Sequence, residues 1–150
     1  FSAASILGGI ITKQKEETLN YLKLFGNYLG IAFQILDDVL DYDNSSSTFG
    51  KKIGDDFKEG KVTLPILIAY SKSNDKEKDF WKKVIEELIQ EKNDLKKALD
   101  IINKYNCLSE AKALAEAYAE KANQILKKLP KNNFSESLSS ICEFVFKRKN

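Results

Sequence analysis

In the stretch FQILDDVLDY, residues 33–42, three carboxylates stand in a run that is otherwise almost wholly apolar. On a helical wheel at about 100° per residue, Asp37, Asp38 and Asp41 share one sector, about 100° wide, with Asn27, Gly30 and Gln34. Leu29, Ile31, Phe33, Ile35, Leu36, Val39, Leu40 and Tyr42 fill the rest of the wheel. A surface helix normally has the opposite proportion, a narrow apolar stripe and a broad polar one. This helix is therefore expected to be enclosed by protein, with its one polar strip lining a cavity. Three carboxylates on adjacent turns repel one another. They can be neutralised by a raised pKa, by recruited Lys or Arg, or by a bound cation. A ligand set of oxygens without His or Cys suits Mg²⁺, which takes one or two carboxylates and completes its shell with water and phosphate oxygens. A diphosphate is the partner that such a strip calls for.

The residues that follow fit that chemistry. Lys51, Lys52, Lys58 and Lys61 lie among Gly50, Gly54 and Gly60. Glycines let a backbone come close to a ligand, and lysines serve as point charges for phosphate. A solvated acidic strip beside a flexible lysine-rich loop would carry the same residues. From the wheel alone both readings stand.

The rest of the composition narrows the field by exclusion. There is no histidine, which removes His acid–base catalysis, Ser-His triads and every His-containing zinc site. The formal charge of +2 is small, and Lys and Glu are interleaved, so the concentrated basic face of a nucleic-acid binder is missing. Cys107 and Cys142 stand far apart without CxxC spacing, which reads as a buried, reduced pair in a cytoplasmic protein. No apolar run reaches the roughly 18–20 residues that span a bilayer. FSAASILGGII at the N-terminus lacks the basic flank of a signal peptide, and Phe1 opens directly into a helix pattern without Met or cap. That start reads as part of something longer.

The elements that must position the acidic strip are all helical. Residues 1–13 read as a helix segment and Lys15 to Tyr42 as a long second helix. Asp43 to Gly60, rich in Ser, Gly and charge, reads as an irregular loop. Thr63 as N-cap and Pro65 in the first turn open a helix to about Ser71. Helical spacing of Trp81, Val84, Ile85, Leu88, Ile89, Leu95, Leu99 and Ile102 predicts helix from Asn74 to about Asn103, with a break near Glu91 to Asp94. A further helix is expected from Leu108 to Leu129, stopped at Pro130, and a last one through Phe134, Leu138, Ile141, Val145 and Phe146. The fold class is all-α, one segment over residues 1–150.

Joined, FQILDDVLDY and GKKIGDDFKEGKVTLP resemble the second aspartate-rich region of the trans-polyprenyl diphosphate synthases. In that family a Gln precedes DDxxD, and a GKxxGxDxxxGKxTLP loop leads into the next helix. The match covers Gln34, Asp37, Asp38, Asp41, Gly50, Lys51, Gly54, Asp56, Gly60, Lys61, Thr63, Leu64 and Pro65. GDDFKEGKVTLP and the ending EFVFKRKN look like the long-chain octaprenyl and decaprenyl synthases that make quinone side chains.

The resemblance implies the C-terminal half of an isoprenoid-synthase-type helical bundle, and Mg²⁺-dependent head-to-tail condensation of an allylic diphosphate with isopentenyl diphosphate. It implies Asp37 as the direct metal ligand with Asp38 and Asp41 beside it, and Asp56 supporting a metal-bound water. Lys51, Lys61 and Gln34 become the catalytic and substrate-holding set, clamping the diphosphate or its leaving oxygen. The family's first aspartate-rich motif is absent, and Asp55–Asp56 in a Gly-flanked loop does not replace it. The residues holding isopentenyl diphosphate are also missing. The 150-residue chain alone is accordingly expected to be inactive, working as a homodimer or with the missing N-terminal half. Two other readings stay open: a non-catalytic helical subunit or interaction module, and a related terpenoid enzyme that cyclises an allylic diphosphate. The Lys147–Arg148 end reads as a solvated terminus.

Overall fold

The computed structural model describes residues 1–43 and 53–147, and side chains as far as Glu143. The order is α1 (Ser2–Ile11), α2 (Glu16–Leu40), α3 (Asp55–Lys58), α4 (Leu64–Lys72), α5 (Asp75–Trp81), a π-helix (Lys82–Glu86), α6 (Asp94–Lys104), α7 (Cys107–Leu126) and α8 (Asn133–Lys147). Among the described residues no strand occurs, as the helical periodicity predicts. None of their helices is long and apolar enough to cross a membrane.

The chain divides into two compact units, Phe1–Gln34 with Leu114–Asn150, and Ile35–Ala113. In the first unit, Ala115, Ala119 and Ala122 are fully buried at helical spacing on α7, as are Phe25 and Leu29 on α2. Alanine there costs no side-chain entropy and lets a neighbouring helix come close. Cys142 is buried and free, its thiol pushed up to about 11 by desolvation. α1 leaves Leu7, Ile10 and Ile11 more than half exposed.

The second unit carries the acidic strip. Its core gathers Tyr42, Phe57, Ile66, Ala69, Phe80, Trp81, Val84, Ala98, Ile101, Ile102 and Cys107. Of these, Tyr42 follows α2 and Phe57 lies within α3, and burying a side chain such as Phe57 is worth roughly 1.5–3 kcal/mol. Asn74 and Glu77 form a reciprocal capping box at the start of α5, each side chain accepting the other's backbone N–H at 3.0 Å. The indole of Trp81 donates to Ser73 Oγ at 3.2 Å, and that hydroxyl donates to the Ala69 carbonyl at 2.8 Å, so both of these buried groups are paired.

Two boundaries differ from the sequence expectation. The helix expected from Asn74 to Asn103 stops after the π-helix rather than near Glu91, and Leu88 takes a left-handed φ of 56°. A π turn widens the helix by one residue per turn, which shifts the apolar register and ends the periodicity early. The loop expected over 43–60 contains helix α3; the stretch 44–52 lies outside the described residues.

Candidate functional site

Two of the three strip carboxylates act on the backbone of the turn that follows. Asp41, 1% exposed, accepts the Asp56 amide at 3.0 Å through Oδ2, and its own carbonyl accepts the Gly54 amide at 2.9 Å. Asp38 accepts the Leu64 amide at 3.3 Å through Oδ2, at the first residue of α4. The charge of Asp38 faces the positive end of α4, where an anion is favoured. This corrects the expectation for Thr63. It is the N-cap residue, but its hydroxyl does not cap the helix and instead donates to Tyr42 Oη at 3.3 Å. Tyr42 is buried beside Asp41, Asp56 and Asp38, and that burial pushes its phenol well above the usual tyrosine range.

Asp55 and Asp56 lie in the first turn of α3 rather than in a loop. Gly54 precedes them at φ 80°, and Gly60 follows at φ 67°. A Cβ on Gly54 would stand 2.5 Å from Leu95 Cδ1, and one on Gly60 would stand 2.1 Å from Leu88 Cδ2. Left-handed backbone and close packing on Leu95 and Leu88 are sufficient to account for these two glycines. Gly50, in the undescribed stretch, has no part in that finding.

Lys61 leaves the turn with its side chain 56% exposed and bridges Asp56 Oδ1 and Glu59 Oε2, each at 2.8 Å. Its hydrogen bonds to Asp56, then to Glu59, raise the ammonium's pKa, so it stays charged. A relay of contacts thus runs from Asp41 through Asp56 to Lys61.

The strip itself is graded. Asp41 is buried, Asp37 and Asp38 are half-buried, and Gln34 is exposed and belongs to the first unit. Among the described residues no hydrogen bond or ion pair engages the Asp37 carboxylate. Also among them, no three acidic or cysteine side chains converge to hold a metal ion unaided. The unengaged Asp37 carboxylate could serve a hard cation only if water and phosphate oxygens completed the shell. Lys51 and Lys52 lie outside the described residues. The structure thus brings together Asp38, Asp41, Asp56 and Lys61, with Asp37 on the same helix.

A family model described as polyprenyl synthetase matches residues 1–102. This chain belongs to the polyprenyl synthetase family. It is 35% identical to heptaprenyl diphosphate synthase component 2 of Bacillus subtilis, over 95% of this chain and 40% of that protein. It superposes on a decaprenyl diphosphate synthase from Rhodobacter capsulatus with a TM-score of 0.90 and 38% identity, covering 100% of this chain and 46% of that one. A polyprenyl synthase from Caulobacter crescentus, complexed with calcium and isoprenyl diphosphate, gives a TM-score of 0.87 and 37% identity, again over 100% of this chain and 46% of that one. The chain therefore spans less than half the length of these polyprenyl synthetase relatives.

Sequence reasoning missed one residue of this region. Gln90 donates from Nε2 to the Phe57 carbonyl at 2.8 Å and to the Val84 carbonyl at 2.9 Å. It lies thirty-three residues beyond Phe57, and nothing in its local pattern marks it. The capping box was more accessible, since N-x-x-E before a helix is a written signature.

Proposed function

We propose that this chain supplies the second aspartate-rich part of a polyprenyl diphosphate synthase that condenses an allylic diphosphate with isopentenyl diphosphate. The observation that carries the reading is the hold of Asp38 and Asp41 on Leu64 and Asp56. Those two hydrogen bonds seat the GDDFKEGKVTLP turn on the acidic strip, so that Asp37 and Lys61 belong to one local arrangement.

On this reading Asp37 is the carboxylate that meets the metal, Mg²⁺ by its oxygen-only donor set. When bound, the ion supplies charge stabilisation to the departing pyrophosphate. Lys61 adds a permanent positive charge on a side chain long enough to exchange its carboxylate partners for phosphate oxygens. Asp56 orients Lys61 and, by family resemblance, would support a metal-bound water. Asp38 and Asp41 hold the turn. Gln34 and Lys51 complete the proposed diphosphate set by family resemblance, which also supports a long-chain product of the quinone side-chain class. Assembly as a homodimer or with an N-terminal half, and a cytoplasmic location, are parts of the same proposal.

Calorimetric titration of a non-hydrolysable allylic diphosphate analogue, with and without Mg²⁺, tests it. Mg²⁺-dependent binding that disappears in Asp37→Asn is expected. Equal binding in Asp37→Asn and the wild type would remove Asp37 from the site. A second reading, a non-catalytic interaction module, is favoured by the exposed Leu7, Ile10 and Ile11 of α1. Self-association without any Mg²⁺-dependent diphosphate binding would support that module instead.

A further inference from the structure

The turn that carries Asp56 and Lys61 is held from outside its own sequence. Gly54 packs on Leu95, Gly60 packs on Leu88 and the Ile85 carbonyl, and the Phe57 carbonyl accepts Gln90 Nε2 at 2.8 Å. Ile85 lies in the π-helix, Leu88 and Gln90 in the segment just after it, and Leu95 at the start of α6. The same Gln90 nitrogen donates to the Val84 carbonyl at 2.9 Å, in the middle of the π-helix. Two facing carbonyls can be bridged only by an NH₂ group, so the orientation of the Gln90 amide is set by its partners. The Phe57 carbonyl also accepts the Gly60 amide at 3.0 Å, so Gln90 grips the point where α3 turns toward Lys61.

We propose that Gln90 is a positioning residue of this site: by bridging the Phe57 and Val84 carbonyls it fixes α3 against the π-helix and sets where Asp56 and Lys61 stand. The assignment rests on the reading of Asp37–Asp41 with residues 54–61 as a diphosphate site. Gln90 touches neither substrate nor metal. It acts through the backbone of the turn, and a π-helix, whose irregular winding leaves carbonyls to be satisfied from elsewhere, provides the second anchor.

Gln90→Met keeps the length and approximate volume of the side chain and removes both donors. The test uses the whole 150-residue chain as wild type, Gln90→Met, Lys61→Met and the double variant. Amide hydrogen exchange is followed at 55–61 and in α7, and affinity for inorganic pyrophosphate with Mg²⁺ is measured by calorimetry. In Gln90→Met, exchange over 55–61 is expected to quicken about tenfold, with α7 unchanged, for the loss of two part-buried hydrogen bonds. Pyrophosphate affinity falls by about the same factor, but not further when Gln90→Met is added to Lys61→Met, because both act on one element. Unchanged exchange at 55–61, exchange that quickens equally through α7, or additive losses of affinity would each overturn the proposal. Should the wild type bind no pyrophosphate with Mg²⁺, the diphosphate reading of this half-site falls, and the exchange result still decides whether Gln90 seats the turn.

Discussion

The Asp41 carboxylate accepts the Asp56 amide at 3.0 Å while the Asp41 carbonyl accepts the Gly54 amide at 2.9 Å, so one residue anchors the start of α3 twice. α3 is four residues long and too short to persist on its own. Its place is set by Asp41 at one end, by the buried ring of Phe57 in the middle, and by Gln90 at the other.

Removing the Asp41 carboxylate should therefore unseat the turn. Asp41→Ala is expected to lose about 2 kcal/mol of stability, the cost of a charge-assisted hydrogen bond lost from a buried position. Asp41→Asn keeps an acceptor and should lose less. Urea denaturation of both variants checks this. Wild-type stability in Asp41→Ala would mean that the Phe57 ring and Gln90 hold α3 without the Asp41 carboxylate.

Asp37 and Asp38 should separate cleanly between function and stability. Asp37→Asn is expected to stay within about 0.5 kcal/mol of wild type, since its carboxylate has no partner to lose among the described residues. Asp38→Ala should cost about 1 kcal/mol through loss of the contact at the start of α4. Thermal unfolding of the pair, run beside calorimetric diphosphate titration, gives both readouts. A stability loss as large in Asp37→Asn would contradict the assignment.

The two glycines of the turn should differ in tolerance. Alanine at either position meets the left-handed penalty of about 1–2 kcal/mol. At Gly60 the clashing atom is the end of Leu88, a side chain 59% exposed that can swing into solvent. At Gly54 the new Cβ meets Leu95, which is half-buried against the core. Gly54→Ala should accordingly be the more destabilised of the two in denaturant titration, and the reverse order would count against the packing described.

Acid sensitivity should trace to Glu77. Its carboxylate accepts from Lys104 first, then from the Asn74 amide and the Tyr105 hydroxyl, which holds its pKa near about 2 against an ordinary 4.5. A lowered carboxylate pKa means that the unfolded chain takes up the proton first. The stabilisation is complete above about 4.5 and is lost as pH falls toward 2. Glu77→Gln should flatten the decline of melting temperature between pH 5 and 3. Parallel declines in variant and wild type would place the acid sensitivity elsewhere.

Much of this was legible from local pattern. Of the apolar residues around the acidic strip, Leu29, Ile35, Leu36, Val39 and Tyr42 are buried as their spacing announces, while Ile31, Phe33 and Leu40 are half-buried. Ala111, Leu114, Tyr118 and Ile125 mark α7 by their spacing, but of these only Ala111 is buried, Leu114 is 41% exposed, and the buried stripe runs through Ala115, Ala119 and Ala122 instead. Cys107 and Cys142 are buried free thiols as their apolar settings imply. The Gln–DDxxD and GKxxGxDxxxGKxTLP pair carries the family resemblance in the sequence alone.

The sequence by itself determined the all-helical class and its long helices, and which residue types could do chemistry, because these are written at spacings of a few residues. It did not determine α3 or the break after Glu86. Only the tertiary structure decided how the three aspartates divide their work, since that depends on the Asp56 and Leu64 amides, fifteen and twenty-six residues away from their acceptors. It also decided that Gly54 and Gly60 answer to Leu95 and Leu88, and that Gln90 reaches back to Phe57. A hydrogen bond or a van der Waals collision between distant residues leaves no periodic trace in the chain. It exists only once packing of the core has brought those residues within a few ångströms of one another.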